Sequence, residues 1–354
     1  MKKHFFSAGL ILAIMCLSAF AGDVTPPEDL PEYYASLDNK SKAALWTAVQ
    51  DVTQKGYASL TYKELWAAYY TTDLDADGNI IDMYGGYPYK PGDNQCGGYK
   101  KEGDCYNREH SVPKSWFGGS EAEKTPGSDL FHIVPTDGYI NNARTNDAFG
   151  EVSTATKTFN TNGLVNKSGS GKSITIENTM LGESQTVACT ASPVFEPDDR
   201  YKGDFARGYF GTLLKWGGVY SHNFTTGAGG KMFTSSYTES GHWGLTEYGL
   251  ALLMKWHRQD PVSQKEIDRN NGIQKEQGNR NPFIDYPELA EYIWGNKAGE
   301  IFMRANVTPT FPHTPSAFEE VEAVPVTATK IMQNGVIYIL RNGHKYTIQG
   351  VLAE

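Results

Sequence analysis

Residues 107–118 read NREHSVPKSWFG and constrain the fold most strongly, because a carboxylate and an imidazole stand side by side just before Val112 and Pro113. A β-branched residue followed by proline disfavours helix, so this segment is predicted to be an extended strand end. Neighbouring side chains of a strand point to opposite faces. Glu109 and His110 would therefore flank one reacting group, one holding a metal and the other moving a proton. The alternative is a solvated surface loop with an incidental Glu-His pair.

A second polar cluster follows about twenty residues later, at 129–146, and reads DLFHIVPTDGYINNARTN. Residues 135–138 predict a turn that leads into a short helix. On that helix Asn141, Arg144 and Thr145 would share one face, since they are spaced i, i+3 and i+4. The order is therefore a strand ending in Glu-His, a second strand or loop, and a helix carrying Asn and Arg.

This layout resembles a ββα-metal (His-Me finger) nuclease, and four sequence blocks resemble the bacterial endonuclease I family of secreted, non-specific nucleases. Two blocks are the segments just described, and the other two read KGDFAR at 202–207 and QGNRNPFI at 277–284. All four follow the family's order. The resemblance implies an α+β fold, with a ββα-metal core surrounded by helices.

The same resemblance implies hydrolysis of phosphodiester bonds to 5′-phosphate products. His110 would be the general base, neutral and held by a backbone carbonyl. Glu109 and Asn141 would be the protein ligands of one divalent ion. A carboxylate, an amide oxygen and several waters suit Mg²⁺, with Mn²⁺ and Ca²⁺ as alternatives. Asn142 competes for the ligand role, but Asn141 lies six residues after Pro135, which agrees with the family motif.

The cations that would hold the substrate are less sharply defined. The family's phosphate-stabilising arginine has no obvious match, so Arg144, Arg207 and Arg280 are all candidates, with Arg144 placed in the catalytic set. Arg207 would alternatively pair with an acid, and the 277–284 block would alternatively give structural support. The predicted substrate-binding residues are Arg108, Lys114, Arg207 and Arg280. The predicted supporting residues are Asn146, His132 and Asn279.

The N-terminus indicates a secreted protein, whether periplasmic, extracellular or on the cell surface. Residues 1–21 combine a positive start, an apolar stretch and a small-x-small cleavage site, which is typical of a signal peptide. No later run is long and apolar enough to predict a membrane span. Without this segment the chain has 30 basic and 41 acidic residues, a net charge of −11. Since phosphate binding is driven by cations, a nuclease of this composition needs its basic residues gathered in a cleft rather than scattered.

Three cysteines remain after the signal peptide. An oxidising compartment favours a disulfide, and Cys96–Cys105 would close a small loop just before the Glu-His motif. Cys189 would then be left over. The spacing predicts no zinc site.

The catalytic domain is predicted over 22–304. It would contain helices at 33–57, 62–70, 202–214, 246–260 and 287–294, a strand at 80–84, and an insertion around 155–195. Asp73 to Asn79 begins like a calcium loop, but the twelfth position is Tyr84 rather than Glu, which favours a simple turn. Ser263 and Glu266 are spaced as a capping box.

The C-terminal part differs in composition. Proline and acidic residues predict a linker over 305–327. Residues 328–354 contain three β-rich runs joined by two Asn-Gly pairs, which predicts a small β-meander. Its sequence is weakly similar to C-terminal sorting tails of secreted proteins. The alternative is an appendage that packs against an edge of the catalytic domain.

The leading functional hypothesis is a monomeric, metal-dependent, largely sequence-non-specific endonuclease of DNA, with RNA as a further substrate. A zinc peptidase is disfavoured because the chain lacks His-Glu-x-x-His. A non-catalytic surface or glycan-binding protein would fit the aromatic content and the tail. That alternative leaves Glu109, His110 and Asn141 unexplained.

Overall fold

The computed structural model describes residues 30–311 and three later strands within 329–347. The chain divides into two compact units, the first ending at Phe311 and the second beginning at Pro312. The predicted signal peptide and most of the predicted linker lie outside the described residues. Among the described helices, none is long and apolar enough to cross a membrane.

In the described part of the first unit, more residues lie in helices than in strands. The α-helices are α1 (Leu30–Tyr33), α2 (Lys42–Gln54), α3 (Leu65–Thr72), α4 (Gly138–Arg144), α5 (Lys202–Trp216), α6 (Glu247–Gln259), α7 (Gln264–Gln277), α8 (Pro282–Asp285) and α9 (Leu289–Ile293). Short 3-10 turns lie at Ala35–Leu37, Lys114–Phe117, Pro126–Ser128, Asp199–Tyr201, Gly227–Lys231, Glu239–Gly244 and Arg304–Asn306. Helix α5 is buried along almost its whole length and packs against α2 and α6. The predicted capping box of Ser263 and Glu266 starts α7.

Three small sheets complete the described part of the first unit. The strands are β1 (Tyr106–His110), β2 (Ile133–Asp137), β3 (Ala148–Phe149), β4 (Val152–Thr161), β5 (Leu164–Gly171), β6 (Ile174–Thr179), β7 (Gly182–Val187) and β8 (Val194–Glu196). Strands β1 and β2 pair antiparallel, and β6 pairs with β7. The third sheet has the order β3-β8-β5-β4, with β3 and β8 parallel. The predicted insertion around 155–195 is thus made largely of strands β4 to β8.

Strands β1 and β2 and helix α4 form a ββα motif that carries both polar clusters. The register pairs Glu109 with Val134 and His110 with Ile133. Helix α4 follows β2 directly because the Asp137 side chain accepts the amide of Ile140 at 2.9 Å and caps the helix. The predicted disulfide Cys96–Cys105 is present immediately before β1, and Cys189 is free.

The predicted strand at 80–84 is wrong. Only Ile80 makes isolated bridges, to Leu74 and Tyr89. The reason is Asp82, a buried carboxylate that accepts the backbone amides of Tyr84, Gly85 and Tyr87 and so turns the chain. The preceding segment is the predicted turn, in which Asp75 accepts the amides of Asp77 and Asn79.

The end of the first unit lies beyond the predicted domain boundary. Val307 and Phe311 are buried in the same core as Tyr34 and Tyr286, so residues 305–311 belong to the packed unit rather than to a linker. In the second unit, β9 (Thr329–Gln333), β10 (Val336–Arg341) and β11 (His344–Thr347) form an antiparallel sheet in the order β11-β10-β9.

His257 on α6 is a buried imidazole that the folded protein keeps neutral. Burial, together with the charges of Arg207 and Arg258, lowers the pKa of His257 from 6.5 to about 3. The unfolded chain takes up a proton near pH 6.5 and the folded chain does not. The stability contributed by this site is therefore fully present above pH 6.5 and is lost as the pH falls toward 3.

We expect His257→Gln, which keeps a donor and an acceptor, to flatten the loss of unfolding free energy between pH 6.5 and about pH 4. The measurement is urea denaturation at a series of pH values. A variant that loses stability as steeply as the wild type would contradict a neutral buried His257.

Candidate active site

An open cleft of about 350 Å³ lies at the end of strand β1. Its lining brings together the Glu-His pair and residues of helix α4 and of the loop after β1. The lining residues are Tyr62, Asn107, Arg108, Glu109, His110, Pro113, Lys114, Ser115, Asn141, Thr145 and Asn146. The cleft therefore contains the predicted base and both predicted metal ligands.

His110 is held by the backbone of a neighbouring loop. Its Nε2 lies 3.2 Å from the carbonyl oxygen of Gly127. Since a carbonyl only accepts, Nε2 carries the proton and Nδ1 is left with a free lone pair. Burial, with the nearby His132, lowers the pKa of His110 to about 3. The imidazole is therefore neutral near pH 7.

The loop that supplies this carbonyl is the 3-10 turn Pro126–Ser128, which is anchored by buried Asp129. This carboxylate accepts from Trp216 Nε1 at 2.6 Å and from Gln277 Nε2 at 2.9 Å. It also pairs with the fully buried Lys215 at 2.9 Å. Residues far apart in sequence thus position the partner of His110.

Two of the predicted supporting residues are part of this scaffold. His132 Nε2 donates to the carbonyl of Pro126 at 2.7 Å, and burial lowers the pKa of His132 to about 4. Asn279 is fully buried, donates to the carbonyl of Thr53 at 2.6 Å and accepts from Gln277 at 2.9 Å. Both are in positions to support the site through the backbone.

Glu109 is tied to the protein through one of its two carboxylate oxygens. Its Oε1 accepts from Arg144 Nη1 and, at 3.1 Å, from Tyr84 Oη. Burial raises the pKa of Glu109, and the Arg144 guanidinium opposes that shift. Neither hydrogen bond uses Oε2, so this oxygen is the one that remains for a further ligand.

Arg144 does not face the cleft, which corrects its predicted role as a phosphate clamp. Its side chain is fully buried. Besides Glu109, it donates to the backbone carbonyls of His110 at 3.0 Å and Ser111 at 2.7 Å. Burial lowers the pKa of Arg144, but Glu109, Tyr84 and Tyr209 together outweigh burial and the net shift is upward. Arg144 therefore holds the Glu109 carboxylate and the backbone of His110 in place.

Arg207 and Arg280 are also turned away from any substrate. Both guanidinium groups are fully buried. Arg207 forms a two-pronged pair with Glu266 at 2.6 and 2.7 Å, and Arg280 forms one with Asp285 at 2.7 Å for both contacts. The structure does not support the prediction that they contact phosphate, because both guanidinium groups are inaccessible from solvent.

Asn141 lines the cleft. Its Nδ2 lies 3.4 Å from Thr136 Oγ1, which leaves the amide oxygen as the free acceptor. Asn142, the competing residue, is exposed and does not line the cleft. Asn146 braces the rim, since its Nδ2 donates to Ser115 at 3.2 Å and its carbonyl accepts from Trp116 at 3.2 Å. Lys114 lines the cleft but pairs with Glu121.

The oxygen atoms of Glu109 and Asn141 fit a hard divalent cation that keeps several waters. Within residues 30–311 no cluster of three or more His, Cys, Asp or Glu side chains is arranged to hold a metal. An all-protein cage of the zinc type is therefore not built in this part of the chain. A carboxylate plus one amide oxygen is the donor set of a Mg²⁺ site completed by water.

Sequence comparison adds the family. The protein-family model for Endonuclease I matches residues 38–288. This chain belongs to the Endonuclease I family. It is 32% identical over 279 residues to an extracellular ribonuclease of Bacillus amyloliquefaciens, covering 77% of this chain and 81% of that protein. It is 30% identical over 286 residues to an extracellular ribonuclease of Bacillus subtilis (strain 168), covering 78% and 83%. Membership makes it a nuclease, a hydrolase acting on nucleic acid.

Sequence patterns missed several residues of this Endonuclease I site. Tyr62 and Tyr84 carry no local motif, and only the fold brings them to the cleft or to Glu109. Thr136 lies within the second polar cluster, but its contact with Asn141 is seen only in the structure. The carbonyl of Gly127 lies in the polar loop 118–128, where a Thr-Pro-Gly sequence signals a turn but not its partner.

The buried pair of Arg207 and Glu266 yields a stability prediction for this Endonuclease I protein. We expect Arg207→Met to lower the free energy of unfolding by about 3–5 kcal/mol, because it leaves Glu266 buried without its partner. Arg200→Met is the matched control. Arg200 pairs with Asp198 at the surface, where loss is worth at most about 1 kcal/mol. Urea denaturation measures both. A fully stable Arg207→Met variant with reduced nuclease activity would instead support a substrate contact.

Proposed function

We propose that this protein is a secreted, metal-dependent endonuclease with little sequence preference that hydrolyses RNA and DNA to 5′-phosphate products. The observation that carries the proposal is the pair of contacts around His110. Gly127 accepts from its Nε2–H, which leaves Nδ1 free, and Glu109 and Asn141 line the same cleft as His110.

His110 is the general base. A neutral imidazole with a fixed tautomer accepts a proton from an attacking water at Nδ1 without having to rotate. Stacking of the Tyr62 ring on the imidazole, with centroids 5.5 Å apart, restrains the ring further. Because the nucleophile is water, no 2′-hydroxyl is needed, and DNA and RNA are both substrates.

Glu109 and Asn141 would hold Mg²⁺, or Mn²⁺ or Ca²⁺. When bound, the ion supplies charge neutralisation on the phosphate and stabilisation of the leaving 3′-oxygen. Arg144 keeps the Glu109 carboxylate in place through Oε1, so the carboxylate does not have to reorganise when a ligand arrives.

Three observations support the substrate class and the compartment. The two Bacillus relatives carry the name extracellular ribonuclease, which favours RNA among the substrates. The disulfide Cys96–Cys105 suits an oxidising environment outside the cytosol. Residues 1–21 have the composition of a signal peptide.

The first test is digestion of supercoiled plasmid and of a structureless RNA by the chain from residue 22 onward. We expect cleavage with Mg²⁺, none with EDTA, and a fall of about 10²–10⁴-fold for His110→Ala. His222→Ala, at an exposed imidazole outside the cleft lining, is the matched control and should retain activity. The cleaved ends should carry 5′-phosphates. Cyclic 2′,3′-phosphates would contradict a water nucleophile, and a folded protein that cuts neither substrate would favour a binding function.

A second test addresses the metal ligands. Asn141→Ala should raise the Mg²⁺ concentration needed for half-maximal activity by about 10–100-fold, whereas Asn141→Asp keeps an oxygen ligand and should raise it far less. Asn142→Ala, one residue along and exposed, is the control. If Asn142→Ala raises the requirement and Asn141→Ala does not, the ligand is Asn142.

A further inference from the structure

Arg108 differs from every other arginine in the described part of the first unit. The guanidinium groups of the others each lie within 4.0 Å of a carboxylate; they are Arg144, Arg200, Arg207, Arg258, Arg269, Arg280 and Arg304. Within residues 30–311, Arg108 alone has no such ion pair. Its positive charge is therefore not neutralised by a neighbouring acid. Arg108 also lines the cleft of the candidate site.

Two aromatic rings hold this guanidinium. Its Cζ lies 3.6 Å from the centroid of the Tyr62 ring and 4.3 Å from that of Trp66. Nη1 donates to the backbone carbonyl of Tyr62 at 2.6 Å, and Nε is enclosed by protein. Cation–π contacts stabilise the charge without cancelling it and leave the edge of the group for hydrogen bonds. The remaining edge, at Nη2, is what Arg108 offers to a ligand.

Strand geometry relates Arg108 to His110. The two residues are two positions apart on β1, so their side chains lie on the same face of the strand. Their Cα atoms are roughly 7 Å apart. Tyr62 contacts both, because its ring stacks on the imidazole with an interplanar angle of 24°. A phosphate held by Arg108 would thus lie about one nucleotide from the bond beside His110.

We propose that Arg108 is an anchor for the phosphate next to the scissile one, and that Tyr62 is a positioning residue that aligns His110 with this anchor. The inference rests on the proposed nuclease function. A free, planar guanidinium is suited to phosphate oxygens through charge-assisted hydrogen bonds. The other cation of the cleft lining, Lys114, is paired with Glu121.

The first experiment measures binding without cleavage. A labelled single-stranded oligonucleotide is titrated in EDTA at several salt concentrations, with fluorescence anisotropy as the readout. We expect Arg108→Gln to weaken binding about tenfold at low salt and to make the dependence of log Kd on log salt shallower by about 0.7, the value for one lost phosphate contact on a single strand. Arg108→Lys should keep the slope but bind more weakly, since it keeps the charge and loses the planar group.

Lys42→Gln is the matched control. Lys42 lines a different cleft beside Glu239, and its loss should leave both Kd and slope unchanged. A folded Arg108→Gln protein with the wild-type slope would overturn the inference. Wild-type protein that shows no salt-dependent binding would overturn it too.

The second experiment locates the phosphate. Two substrates carry a neutral methylphosphonate on the 5′ or the 3′ side of the cleaved linkage. Wild type and Arg108→Gln should cleave one of these two substrates at equal rates, because that substrate lacks the charged phosphate that Arg108 would bind. A constant difference on all substrates would show that Arg108 contacts no neighbouring phosphate. That outcome is separate from failure of the proposed function, in which the wild type would cut nothing.

The role of Tyr62 is tested by a pair of variants. Tyr62→Phe keeps the ring and should retain kcat, whereas Tyr62→Leu should lower kcat by about tenfold as well as weaken binding. An equal fall of kcat in both variants, or a rise in KM with kcat unchanged, would show that Tyr62 does not position His110.

Discussion

The ion pair between Arg144 and Glu109 is the contact on which the geometry of the candidate site depends. A single buried guanidinium from helix α4 reaches the end of strand β1 and binds the Glu109 carboxylate together with the carbonyls of His110 and Ser111. Arginine suits this task because its donors are fixed in a planar fork and remain charged when buried. Since Asn141 lies on the same helix, the pair fixes the position of helix α4, and with it Asn141, relative to Glu109 and His110.

A second layer of buried contacts surrounds this pair and explains why distant sequence blocks share one function. Asp129 draws the end of α5 and the end of α7 onto the loop that holds His110, through Trp216 and Gln277. The side chain of Asn281 donates to the carbonyl of Arg207 at 2.9 Å, which joins the third and fourth blocks directly. These blocks form the support of the cleft, although they do not line it.

The charge distribution follows from the same principle. The chain is acidic overall, yet most of its arginines lie beside carboxylates and stabilise the fold rather than attract nucleic acid. Burying a guanidinium is favourable only when an acid and carbonyls satisfy it. In the cleft, Arg108 is instead held by aromatic rings, which leave its charge available. This is the charge that we propose binds a phosphate of the substrate.

Local sequence was sufficient for the features that depend on neighbours along the chain. The extended Glu-His segment follows from Val112 and Pro113, the capping box from Ser263 and Glu266, and the disulfide from two cysteines close together before β1. The resemblance of four ordered blocks also indicated the family, which the match over residues 38–288 shows. Local signals failed at 80–84, where the side chain of Asp82 captures backbone amides that a strand would have needed.

The roles of the arginines were decided by tertiary structure alone. Arg108, Arg144 and Arg207 are the same residue type in equally polar motifs, and nothing in their sequence neighbourhood distinguishes a substrate contact from a structural pair. Arg207 finds Glu266 59 residues away, and Arg144 finds Glu109 35 residues away. The sequence by itself determined which chemistry-bearing residues this protein has. Which of them face the cleft depends on partners distant along the chain, because burial and neutralisation of a charge are properties of the folded surroundings.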